Sequence, residues 1–135
     1  MRSTPTAGPR SGYTLKAIDE MESIHYGAVK LAGAELGVQS FGLQVLEFPP
    51  GFTDYPEHDH AEDEQEEVYL FLRGSGEFEI DGERVLVQAG QMVRIEAVSR
   101  RKLWPGAEGA RFLAIGGSPA RAYERPEDFE LAVER

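Results

Sequence analysis

The stretch from Glu77 to Val87 constrains the fold more than any other part of this chain. Glu77-Phe78-Glu79-Ile80 alternates polar and apolar residues, Asp81-Gly82 follows, and Arg84-Val85-Leu86-Val87 returns. Alternation places every second side chain on one face of a strand, and Asp-Gly suits the positive φ angles of a tight two-residue turn. A β-hairpin is therefore predicted, which commits the chain to antiparallel pairing with one face buried.

The flanking runs keep the same cadence. Phe41 to Phe48 is β-prone and partly alternating, and Pro49-Pro50-Gly51 ends it, since proline cannot donate to a ladder. Val68 to Leu72 is nearly all apolar and reads as a strand covered on both sides, broken by Gly74-Ser75-Gly76. Ala89-Gly90 turns into a strand over Met92 to Ile95. Arg100 to Leu103 is a further strand, stopped by Trp104-Pro105-Gly106, and Arg111 to Ile115 precedes Gly116-Gly117. Strands arriving every 8–12 residues or roughly so, with turn chemistry between them, indicate an all-β sandwich or small barrel. Helical signals are confined to the ends: Leu15, Ile18 and Met21 at spacings of three, and Pro126 to Val133, where proline and acids occupy a first turn. Tyr26 to Gly37 is glycine-interrupted and ambiguous, and His25 beside it reads as a surface or packing residue.

At 135 residues the chain is one domain's worth, with a single core expected. The absence of cysteine removes disulfides, thiolate metal sites and cysteine nucleophiles. No apolar run approaches the roughly 18 residues that cross a bilayer, and Met1 to Gly12 lacks the apolar stretch of a secretory signal, so a soluble, cytoplasmic protein without a membrane partner is expected. The formal net charge is -10, yet Glu57, Asp59, Glu62, Asp63, Glu64, Glu66 and Glu67 fall in one segment without Lys or Arg. The acidity thus belongs mainly to a single loop. Nucleic acid requires a basic footprint, and the best basic run, Arg100-Arg101-Lys102, is short, which argues against such a partner.

His58-Asp59-His60 lies inside that acidic segment. On a strand, residues two apart point to one face, so the two imidazoles can act together. With a carboxylate from the next strand they make three ligands of the kind that suits iron, manganese, zinc or nickel. Without a metal, the same groups can serve as general acid and base near neutral pH. No nucleophile stands out, because Ser75 and Ser99 lie in turns without a Gly-x-Ser-x-Gly elbow, and no catalytic residue is assigned. Phe48, Phe71, Phe78, Trp104 and Phe112 read as core. Tyr69 is set apart, since it shares a strand face with Glu67 and carries a hydroxyl.

Taken together, Gly51, His58, His60, Glu67 and Gly74 resemble the first motif of the cupins, which runs Gly, five residues, His-any-His, three or four residues, Glu, six residues, Gly. Here six residues separate Gly51 from His58 and six separate His60 from Glu67, leaving Gln65 and Glu66 as substitutes; the six-residue step from Glu67 to Gly74 fits and favours Glu67. The second cupin motif is matched by Gly82 and Gly90, with Gln88 where its proline stands and Arg101 at the place of its last metal-binding histidine. No histidine follows His60.

The resemblance covers about Phe41 to Ile115 and implies an all-β double-stranded β-helix, a small jelly-roll barrel with short helical or irregular terminal segments. The layout expected is a flexible lead-in over 1–12, a segment packing on the barrel over 13–40, the barrel over 41–117, and a tail with a short helix over 118–135. A small-molecule pocket rimmed by His58, His60, Gln65, Glu67 and Arg101 is expected, with Tyr69 close by. The resemblance further implies a divalent transition metal (Fe, Mn, Zn or Ni) on His58, His60 and Glu67, and a homodimer. Three dispositions are open for Arg101: inward on Glu67 in a metal-free pocket that selects an anion, swung aside from a metal with open positions, or on the surface beside Arg100 and Lys102. Three functions follow: a metal-binding cupin with a small-molecule pocket and no assigned reaction, a metal-dependent dioxygenase or isomerase, and a metal-free binding module for a small carboxylate or sugar.

Overall fold

The computed structural model describes residues 12–132. Most of the lead-in expected over 1–12 therefore lies outside the described residues. Among the described residues, seven strands form one antiparallel sheet: β1 (Ser23–Ile24), β2 (Val29–Lys30), β3 (Gly42–Phe48), β4 (Glu66–Ile80), β5 (Glu83–Gln88), β6 (Met92–Ile95) and β7 (Arg101–Gly117). Their order is β1-β2-β3-β7-β4-β5, with β6 paired to the first part of β4 and β5 to the second. The predicted hairpin is β4–β5, closing at Ile80 opposite Glu83, with Asp81 at φ 50 and Gly82 at φ 86 as its turn.

Two breaks read from the sequence are not breaks. β4 runs straight through Gly74-Ser75-Gly76, and β7 runs through Trp104-Pro105-Gly106. These are the two long strands, and they pair with each other from Glu66 opposite Gly117 to Ile80 opposite Arg101. The ladder absorbs the glycines as a bulge: Gly74 faces Ala110 and Gly76 faces Pro105, so residues 106–109 of β7 loop out against Ser75 alone. A partner strand on both sides of the irregularity holds the direction that a lone strand would lose. Val68 to Leu72 is also not covered on both sides: Tyr69 and Phe71 are buried, whereas Leu72 is 42% exposed.

The core is aromatic. Phe112 of β7 stacks on Phe71 of β4 at 4.7 Å and 8°, and meets Phe48 and Tyr69 edge-on at 5.3 and 5.9 Å. Replacing Phe112 by Ala opens a cavity at this junction of three strands, and a loss of about 3–5 kcal/mol is expected from urea unfolding; a loss below about 1 kcal/mol would show that the cluster does not hold the barrel. On β3, Leu46 and Phe48 face this core while Val45 faces outward onto Met21 and Ala32. The N-terminal segment packs there through a helix α1 (Ala32–Leu36), which arises in the stretch whose periodicity was ambiguous. The expected helix over 15–22 reduces to a three-residue 3-10 turn at Ile18–Glu20.

The tail is an extended strap with one 3-10 turn at Glu127–Phe129 rather than the helix expected over 126–133, whose last residue lies outside the described residues. A segment so short cannot nucleate a helix without packing to support it. Here it is instead tied down in extended form, Arg125 Nη2 donating to the Val38 carbonyl at 2.5 Å. Among the described residues, no helix is long and apolar enough to cross a membrane.

Candidate functional site

Glu67 opens the inward face of β4 and is followed on that face by Tyr69 and Phe71. It stands opposite Gly116 of β7, and a side chain on that glycine would meet the Glu67 and Gln65 side chains. The two histidines do not lie on a regular strand, as the sequence reading had them. They belong to the acidic connection between β3 and β4, which touches the sheet at a single bridge: His58 N–H donates to Arg101 O at 3.0 Å and Arg101 N–H to His58 O at 2.8 Å. His60 N–H then donates to Ala97 O at 2.8 Å. These bonds keep the backbone locally extended, so the two rings still come together, 5.1 Å apart and edge-on.

The acids of this connection have separate tasks. Asp59 accepts from Ala61 N–H in a tight turn, and Asp63 accepts from Gln65 N–H while both its oxygens lie 3.1 Å from His60 Nδ1. His58 Nδ1 lies 2.9 Å from the Pro56 carbonyl, which can only accept. Both Nδ1 atoms therefore carry the proton in the neutral ring, which leaves Nε2 as the free nitrogen of each imidazole.

One ligand atom from each of His58, His60 and Glu67 lies within 4.8 Å of the others. His60 Nε2 is 3.3 Å from Glu67 Oε2 but makes no hydrogen bond to it, and Nε2 is buried without a hydrogen-bond partner. A neutral His60 thus aims a lone pair at a carboxylate oxygen. Two acceptors in that position require a cation, whether a proton or a metal ion. Glu67 Oε1 is occupied from the other side by the Tyr69 hydroxyl and by Arg101 Nη1 at 3.3 Å. Tyr55 continues the chain, its hydroxyl 3.0 Å from that of Tyr69.

The charges follow from this packing. Burial alone pushes Glu67 upward, but His60, Tyr69 and Arg101 together outweigh it and hold the carboxyl below its ordinary value. His60 is raised, mainly by its position against Glu67. His58 is lowered by burial. Both tyrosines are raised, burial being the largest cause, so each stays protonated and Tyr69 can only donate to Glu67.

Arg101 points inward and is fully buried. Its Nη2 donates to the Glu96 carbonyl at 2.8 Å, and its Nε has no hydrogen-bond partner. Of the residues expected on its rim, His58, Arg101 and Tyr69 do not line the adjoining pocket, a space of about 100 Å³ bordered by His60, Gln65 and Glu67 at one end; Arg101 and Tyr69 contact Glu67 from behind. Glu66 turns outward to Arg94 at 2.8 Å and is no substitute for Glu67 here. His25 is an exposed turn residue at φ 57 between β1 and β2. Sequence reasoning did not single out Asp63 as the partner of a histidine, nor Tyr55, Gln44 or Tyr123. Gln44 alone had a legible signal, since it keeps step with Leu46 and Phe48 on the inner face of β3.

Comparison with known families matches residues 44–116 to the cupin domain. Among solved structures, a cupin protein from Bacteroides fragilis superposes with a TM-score of 0.65 at 22% identity, covering 84% of this chain and 91% of that one. A sugar phosphate isomerase of the cupin superfamily from Silicibacter pomeroyi gives 0.62 at 18% identity, covering 76% and 74%. Comparison with curated proteins returned no match.

Proposed function

The chain belongs to the cupin family, and on that premise we propose that it is a small-molecule-binding cupin that holds a divalent transition metal on His58, His60 and Glu67 at the edge of its pocket. The observation that carries this reading is the facing pair His60 Nε2 and Glu67 Oε2, two acceptors 3.3 Å apart. The fit of the donor set supports it: two imidazoles with Nδ1 tied to Asp63 and Pro56, and a carboxylate whose outer oxygen is already bonded, offer three inward donors. Such outer partners orient ligands and tune their basicity. A bound ion supplies Lewis-acid polarisation of a ligand oxygen. The chain's own residues orient that site, Tyr69 and Arg101 fixing the carboxylate while Gln65 borders the pocket.

Metal titration by calorimetry tests this. About one Zn²⁺, Mn²⁺, Fe²⁺ or Ni²⁺ per chain is expected, and His58→Ala should weaken it by more than the 10–100-fold that outer partners typically carry. Protein that binds none of these ions sinks the reading. The pH dependence has a defined sign. Metal must displace the proton that Glu67 favours on His60, whose pKa that carboxylate raises above the ordinary imidazole value, so affinity should fall by up to about tenfold per pH unit below the raised pKa and level off above it.

A second reading is favoured by the Arg101–Glu67 contact. At an effective dielectric near 20, a guanidinium about 4 Å from a divalent ion is repelled by roughly 8 kcal/mol, and the same group compensates Glu67 without any metal. In that reading His60 holds a proton and the pocket binds a small ligand directly. The sugar phosphate isomerase named above lends an isomerase reading only the shared fold. A homodimer in the cytoplasm belongs to the same proposal, with Leu72 and Met92 supplying exposed apolar surface on one outer face.

A further inference from the structure

Three side-chain polar atoms among the described residues are buried without a hydrogen-bond partner: His60 Nε2, Arg101 Nε and Gln44 Oε1. The first two belong to the charged cluster. Gln44 does not. It stands on the inner face of β3 opposite Ala114, continuing the row of Leu46 and Phe48. An unpaired amide oxygen at the end of an apolar row is destabilising, and a Leu or Met of similar volume would fill the place without that penalty.

The pocket lies over this amide. Gly42, Ala114 and Gly116 keep its walls low, and Tyr123 and Phe129 of the strap close it from outside. The Tyr123 ring rests on Gly42, where an added Cβ would be 3.2 Å away. A space of about 100 Å³ is smaller than a cavity that takes benzene, and has room for about four to six heavy atoms of a ligand. Its charged lining is acidic, Asp63 and Glu67, and no Lys or Arg lines it among the described residues. His60 also lines it, but any proton it carries is already matched by Asp63 at 3.1 Å and Glu67 at 3.3 Å, so an anionic group, a phosphate ester included, finds no unpaired cation there in the metal-free protein.

We infer that Gln44 is the specificity-determining residue of this pocket, and that the pocket takes an uncharged, hydroxylated ligand: a short polyol, or the polyol end of a longer molecule. Oε1 is buried as it stands, but Gln44 lines the pocket, and a turn about its last side-chain bond brings the oxygen to a bound hydroxyl; because a hydroxyl both donates and accepts, it satisfies the amide in either orientation. The inference rests on the barrel mouth being a small-molecule pocket, and does not depend on the metal. It departs from the expectation of an anion held by Arg101, since that guanidinium faces Glu67 and Glu96 and not the pocket.

The test uses full-length protein treated with EDTA, titrated with the smallest polyols, ethylene glycol and propane-1,2-diol, and with their carboxylate counterparts glycolate and lactate at matched ionic strength. The amide signals of Gly42 and Gly116 are followed by NMR. Saturable shifts with the polyols are expected in the millimolar range, at least about tenfold tighter than with the carboxylates. Gln44→Leu should weaken the polyols about tenfold, the loss of one hydrogen bond, while its melting temperature stays level or rises because the orphan acceptor is gone. Gln44→Met repeats the measurement should Leu disturb β3. Equal polyol binding by both variants, tighter carboxylate binding, or no polyol response up to about 100 mM overturns the inference. So does a lower melting temperature in both variants, which would make Gln44 a structural residue. Metal occupancy is measured separately on wild-type protein, so a pocket without a metal site and a metal site without this pocket are told apart.

Discussion

Replacing Arg101 by Ala is expected to destabilise the metal-free protein by about 3–5 kcal/mol in urea unfolding, the cost of leaving a buried charge without its partner. The charge left behind is Glu67, whose side chain is 14% exposed and whose Oε1 loses the Nη1 contact at 3.3 Å. The Glu96 carbonyl loses its donor as well. Saturating Zn²⁺ should restore most of that stability, because a divalent ion on Glu67 replaces the missing positive charge and binding to the folded state alone is stabilising. Arg101→His goes further: it removes the repulsion of roughly 8 kcal/mol and adds an imidazole beside His58, across the backbone bridge. A rise in Zn²⁺ affinity of about 100-fold or more is expected. If Arg101→Ala costs under about 1 kcal/mol and Arg101→His leaves the affinity unchanged, Arg101 is not the counter-charge of this site.

Gly74→Ala should be comparably severe for a reason that involves no charge. Gly74 holds φ 75, a region in which a side chain is strained by about 1–3 kcal/mol. Its added Cβ would lie 2.0 Å from the Gly109 carbonyl oxygen and 2.9 Å from the carbonyl carbon. Those atoms are backbone of the paired strand and cannot rotate away, so the bulge must open or the β4–β7 ladder must part. A total of about 3–5 kcal/mol is expected, a large share of the 5–15 kcal/mol that holds a domain of this kind together. Gly82→Ala is the control: it has a similar φ of 86 but nothing within 4 Å of the added carbon, and should cost only about 1 kcal/mol. Thermal unfolding of the two variants side by side separates strain from collision. Equal losses would remove the collision with Gly109 from the account of this barrel.

The two outcomes bear on how far residues can be read in isolation. Gly74-Ser75-Gly76 and Trp104-Pro105-Gly106 read as strand ends because glycine and proline end lone strands. In the folded chain each faces the other across one ladder, and the irregularity of β7 is what accommodates the glycines of β4. Likewise the spacing of His58 and His60 predicted a shared face, which the structure shows, but on a loop held by one bridge instead of a strand. Arg101 could be placed on the surface, aside or inward by sequence alone. Its burial is decided by Glu67, 34 residues away.

What the sequence determined by itself was whatever depends on neighbours along the chain: the Asp81-Gly82 hairpin, the all-β class, and a carboxylate and two imidazoles near the start of one strand. Alternation and turn chemistry act over two to four residues, so they are legible without coordinates. Only the tertiary structure decided that β4 and β7 are continuous, that a guanidinium occupies the far side of Glu67, and that the Gln44 amide is left unpaired under the strap. Those properties depend on which groups meet across the barrel and on which polar atoms water can no longer reach, and burial of that kind is a relation between distant segments.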